Sequence, residues 1–208
     1  MRRLKIIIPA AVVLLGLLSV AVIASRQYWM QMPLERLALQ LAEMPAGTTQ
    51  LSADYPTQID DVGHVLGAKS DLKTGPYVEC YTTTALANVD ATDVDGKALG
   101  KKASFPVIQM LYRYATDAEA RAQYQRLSQL LREAPSAAIL SGQAGKDGRQ
   151  WVTARVIGSE GDTIYWYIGV KGRVLTLLCA DDLQALDGRP RPSGQALFEA
   201  LVARILTH

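Results

Sequence analysis

The chain has 208 residues with a formal net charge of +2, 49% hydrophobic residues, two cysteines and two histidines. So balanced a charge, with no long basic stripe, excludes nucleic acid as a partner. Two distant cysteines and two histidines cannot build a standard structural zinc site, and no cofactor motif is present.

The first element is Ile6–Ala24, an uncharged run of 19 residues preceded by Arg2, Arg3 and Lys5. As a helix rising about 1.5 Å per residue it spans roughly the ~30 Å hydrocarbon core of a bilayer. The basic residues ahead of it place the N-terminus in the cytoplasm and the C-terminal part outside. Tyr28 and Trp29 suit the far interface. The expectation is a single-pass anchor with the lipid bilayer as partner. The alternative is secretion after cleavage near Ala24, although the apolar run exceeds the usual ~7–15 residues of a signal peptide.

Three segments follow: 1–29 as stub and anchor, 30–52 as juxtamembrane helix and connector, 53–208 as one extracytoplasmic domain. Pro33–Met44 reads as a short helix with Leu34, Leu37, Leu41 and Met44 on one face, resting on the membrane or packed on the domain. Ala46–Ser52 reads as a polar connector. Thr57–Leu66 reads as a second helix, in which Asp60 and Asp61 stand one turn before His64. Asp60 and His64 make a candidate pH-sensitive pair, with a solvated ion pair as the plain alternative.

Tyr77–Val89 is rich in Thr, Tyr and Val and reads as a strand, followed by an exposed connection over Asp90–Lys102. In that connection Asp90, Asp93, Asp95 and Gly96 fail the calcium-loop pattern at both ends, because Ala91 and Lys102 fall where acids are needed. Phe105–Ala115 is the next strand. Thr116 and Glu119 then form a capping box for a helix whose inner side is Ala120, Tyr124, Leu127, Leu131 and Ala134. Gly145, Lys146 and Gly148 belong to a flexible turn. A phosphate loop needs Ser or Thr after the lysine, and Asp147 stands there.

Gln150–Ile157, Thr163–Val170 and Arg173–Ala180 read as an antiparallel meander. Alternation puts Trp166 on the face opposite Tyr165 and Tyr167. Trp151, Tyr165, Trp166 and Tyr167 are therefore a candidate ligand or partner surface, with core packing as the alternative. Asp181 and Asp182 read as a solvated turn with side chains pointing apart. Ser193 reads as the cap of a last helix aligned on Leu197, Leu201 and Ile205. Cys80 and Cys179 are candidates for one disulfide, an oxidising compartment favouring the pair and two buried thiols being the alternative.

The element order predicts an α+β domain with an antiparallel sheet of about five strands packed by helices. It is similar in element order alone to exported PsbP-type and lipoprotein sensor-like domains, and implies no functional residue. No histidine stands beside a nucleophile elbow, so no catalytic residue and no metal ligand is assigned. The expected function is a membrane-anchored extracytoplasmic binding or sensor-like domain contacting an envelope component, a small ligand or a partner protein. The alternatives are an envelope hydrolase with dispersed residues and a structural subunit of a membrane complex.

Overall fold

The computed structural model describes residues 31–54, 75–145, 148–157, 161–182 and 192–207. The expected anchor Ile6–Ala24, the helix Thr57–Leu66 and the Asp60–His64 pair lie outside the described residues. Among the described residues no helix is long and apolar enough to cross a membrane. The chain divides into the units Met1–Pro33 and Leu34–His208, and all elements below belong to the second.

The body is one seven-stranded sheet, every neighbouring pair antiparallel. Its strands are β1 Thr49–Asp54, β2 Glu79–Thr92, β3 Ala98–Arg113, β4 Ala137–Ala144, β5 Gln150–Ile157, β6 Thr163–Lys171 and β7 Val174–Asp182. The helices are α1 Leu34–Leu37, α2 Asp117–Glu133 and α3 Pro192–Thr207, with a 3-10 turn at Leu41–Glu43. Across the sheet the order is β1-β2-β3-β7-β6-β5-β4. One meander, β1 to β3, runs from the first edge to the middle. Helix α2 then carries the chain to the far edge, and a second meander, β4 to β7, returns until β7 meets β3. Pro106 has no N–H to give a ladder, and it lies one residue outside the stretch of β3 that pairs with β7, Val107–Arg113.

The sheet is covered on both faces. On one, α2 packs over Tyr112, Val152, Ala154, Trp166, Ile168, Leu175 and Leu177. On the other, α3 packs over Ala87, Phe105, Val107, Tyr165, Tyr167, Leu178 and Ala180, and α1 sits on Leu111 through Leu34 and Ala38. Each fully buried Val, Leu, Ile or Phe side chain among these contributes roughly 1.5–3 kcal/mol.

The α+β class is as expected, and the sheet has seven strands rather than about five. The additional strands are its two edges. β1 occupies part of the expected connector, and β4 follows α2 directly. Both are stabilised by ladder bonds rather than by a buried face, since β1 is exposed along its whole length and β4 along nearly all of it. β2 and β3 also continue into the expected exposed connection as a long hairpin closed by a turn at Asp93–Lys97. The expected helix Pro33–Met44 is reduced to α1 and the 3-10 turn, and Leu34, Ala38 and Leu39 are buried in the body.

The capping box of α2 is present: the Glu119 amide donates to Thr116 Oγ1 at 3.2 Å and the Thr116 amide to Glu119 Oε2 at 2.9 Å. Helix α3 starts differently from expectation. It opens on Pro192, whose fixed φ suits the first helical position. The Ser193 amide then donates at 3.2 Å to Thr92 Oγ1, so the cap comes from β2, 101 residues away. At the other end Arg149 Nη1 donates to the Ile205 carbonyl at 3.0 Å, satisfying a carbonyl of the last turn.

The disulfide is corrected. Cys80 and Cys179 are free, buried thiols. Cys80 pairs with Tyr112 and Cys179 with Ile108, so the two stand on β2 and β7 with β3 between them and four rungs apart. Strand geometry puts their Cα atoms roughly 16 Å apart, far beyond the ~7 Å limit for a bridge. Burial pushes the Cys80 thiol up to about 12, and that of Cys179 up as well, which keeps both protonated and inert.

Candidate functional site: a polar node under the C-terminal helix

The two faces of the sheet differ in chemistry. Of the seven buried polar residues among those described, six stand on the α3 side: Thr83, Gln109, Arg149, Thr153, Thr163 and Asp182. The seventh, Ser128, lies on α2 and donates to the Gln125 carbonyl of its own helix at 3.0 Å.

The densest group lies where β5, β6 and β7 end beneath α3. Two rungs build it, with the Ile164–Asp181 rung between them facing the other way. Thr163 pairs with Asp182 on one side and Ile157 on the other, and Tyr165 pairs with Ala180 and Arg155. Strand alternation turns Thr163, Tyr165, Asp182 and Arg155 to the α3 face together. Thr163 and Asp182 are 0% exposed and Tyr165 is 1% exposed. The Tyr165 ring stacks on Phe198 of α3, with centroids 5.4 Å apart and planes at 25°.

The first turn of α3 closes over this node. A Cβ at Gly194 would lie 2.8 Å from Asp182 Oδ2 and 3.0 Å from Phe105 Cε1, so only glycine allows the helix to come this close. Burial pushes the Tyr165 phenol up to about 12; the Asp182 carboxylate adds to that and Arg155 opposes it. At neutral pH the phenol is therefore a hydrogen-bond donor. Neither Tyr165 Oη, Thr163 Oγ1 nor Arg155 Nε has a hydrogen-bond partner among the described residues.

Asp181, one residue from Asp182, points to the α2 face beside Ile164. Burial first, then the Asp162 and Asp182 carboxylates, raises its pKa to about 6. The two acids point apart, as expected, but they end strand β7 instead of forming a solvated turn. Had the alternation of Leu178 and Ala180 been continued to the end of the strand, Asp182 would have been placed inward.

The aromatic candidates divide. Trp166 is 0% and Tyr167 1% exposed, and with Tyr165 they are core side chains on opposite faces, not a contact surface. Both faces are covered, so alternation separates the rings without exposing either set. Trp151 is partly buried and stacks on Tyr167, with centroids 6.4 Å apart. No three His, Cys, Asp or Glu side chains among the described residues gather as metal ligands. Asp93 of the expected polar turn is engaged by its own backbone, Oδ1 accepting from the amides of Asp95 at 3.0 Å and Lys97 at 2.8 Å.

No protein-family model and no curated protein matches the chain. Among solved structures it is similar to the extracellular domain of PknH from Mycobacterium tuberculosis, at 13% identity and a TM-score of 0.48. That likeness covers 84% of this chain and 95% of the other, and no residue role is carried over from it.

On the outer side of the first turn of α3 lies an open groove of about 460 Å³. Pro45, Val89, Thr92, Ser193, Leu197 and Ala200 line it. Its walls are mostly apolar, and Asp90 at its rim is paired with Lys102 at 2.7 Å. The turn Pro192–Gly194 therefore separates a solvent-facing groove from a buried polar node.

Proposed function

We propose that this chain is a membrane-anchored extracytoplasmic binding domain, with Ile6–Ala24 as its anchor and the α3 side of the sheet as its contact region. The observation that carries the reading is the uncharged 19-residue run behind Arg2, Arg3 and Lys5. Such a run partitions into acyl chains as a helix, and the flanking charges orient it. The groove beside α3 supports binding as the task of the body, because a concave apolar wall with few polar groups suits a small apolar ligand or an extended partner segment.

The test is fractionation of cells producing the full-length chain. The reading requires recovery in the membrane fraction after alkaline carbonate washing, and digestion of the C-terminal body by protease added outside the cytoplasmic membrane. Full-length protein in the cytosol, or a body protected until the membrane is breached, contradicts it.

A further inference from the structure

We propose that Thr163, Tyr165 and Asp182 enclose an internal water molecule that fastens the C-terminal helix to the sheet. The two hydroxyls are fully buried and have no hydrogen-bond partner among the described residues. Leaving such a group unpaired is costly, and these two sit two residues apart on one face of β6, beside the carboxylate paired with Thr163. A buried water needs two to four polar partners.

Both hydroxyl hydrogens find an acceptor. The Tyr165 phenol and the Thr163 hydroxyl each donate to a lone pair of the water oxygen. The water donates a hydrogen to Asp182, which makes three bonds in all. Asp182 has room for this bond, since a carboxylate offers about four lone-pair sites. Phe198, stacked on Tyr165, holds the ring in place. Arg155, paired with Tyr165, puts a positive charge beside the phenol, which weighs against a cation there.

The lid is the Gly194 turn, which also forms the inner wall of the groove. The water thus joins that wall to the ends of β6 and β7.

The experiment is a crystal structure of the full-length chain in detergent, determined once with sodium and once with rubidium as the only monovalent cation. A spherical density peak within hydrogen-bond distance of both hydroxyls and Asp182, without anomalous signal in rubidium, is the expected result. Tyr165→Phe then loses or depletes the peak and lowers the melting temperature by about 2–4 °C, and Thr163→Val acts in the same direction. An anomalous peak in rubidium would make the node a cation site and overturn the proposal. Tyr165 Oη bonded directly to Asp182 with no peak between them would overturn it equally.

Discussion

The two sides of the sheet differ in the side chains they bury. Beneath α2 lie Trp166, Ile168, Val152, Leu175 and Leu177, and the helix is fastened at its start by a complete capping box. Beneath α3 lie Thr163, Tyr165 and Asp182 among the apolar residues, Gln109 and Thr153 share that face of the sheet, and the caps of the helix come from β2 and from Arg149. Both helices have apolar inner faces of similar length, so burial alone does not separate them. The polar groups do: an apolar contact tolerates small shifts, whereas buried hydroxyls and a carboxylate hold their partners to fixed geometry. The α2 side supplies the frame. The α3 side carries the groove, the node and the chemistry a binding function would use.

The strongest way to break this comparison is to empty the α2 side. Trp166→Ala removes its largest fully buried ring and is expected to cost roughly 3–5 kcal/mol in chemical denaturation. A loss below about 1 kcal/mol would remove the α2 face from its role as the frame.

Next in size is Gly194→Ala, which drives a methyl group to within 2.8 Å of Asp182 Oδ2. The Asp182 carboxylate, the Phe105 ring or the helix itself must then shift, at a cost of about 1–3 kcal/mol. The same variant should alter ligand affinity at the groove, because the turn it moves is the groove wall. Unchanged stability would mean that α3 is not held closely on Asp182.

Asp181 sharpens the comparison from the other direction, since it is an acid on the α2 face. Its folded pKa is raised from 3.8 to about 6, so the folded state holds a proton that the unfolded state releases first. Stability therefore falls as pH rises from about 3.8 to about 6, and above that the full cost is present. Asp181→Asn should flatten this slope and stabilise the protein at neutral pH. Discounted for partial exposure, the gain is on the order of 1 kcal/mol. A slope of opposite sign in the parent, measured by denaturation across that range, would contradict the account.

The smallest expected effect is none at all. Reductant should leave the melting temperature unchanged, and two thiols should react with a thiol reagent only on unfolding. A shift on reduction would restore the disulfide.

Much of the frame was legible in the sequence. The capping box of Thr116 and Glu119, the spacing of Tyr124, Leu127 and Leu131, and the alternation through Ile164–Val170 all report buried faces, and a buried face leaves a period behind. The edge strands left none. Thr49–Asp54 and Ala137–Ala144 expose nearly every side chain, so only their ladder bonds mark them as strands. Each edge also carries a register break, at Leu51 and Leu140, which disrupts alternation further. The polar node was hidden for a different reason. Two adjacent aspartates before a glycine- and proline-bearing segment resemble a solvated turn, and only the pairing of Asp182 with Thr163 draws one of them inward.

The contrast between the faces is tested most directly by native-state hydrogen exchange on the full-length chain, comparing the amides of Pro192–Thr207 with those of Asp117–Glu133. Because the contact under α3 is interrupted by polar groups that need particular partners, its amides should open at a lower free energy than those of α2, and in a separate step. Exchange of both helices in one common opening, or firmer protection of α3, would contradict the division between frame and contact face.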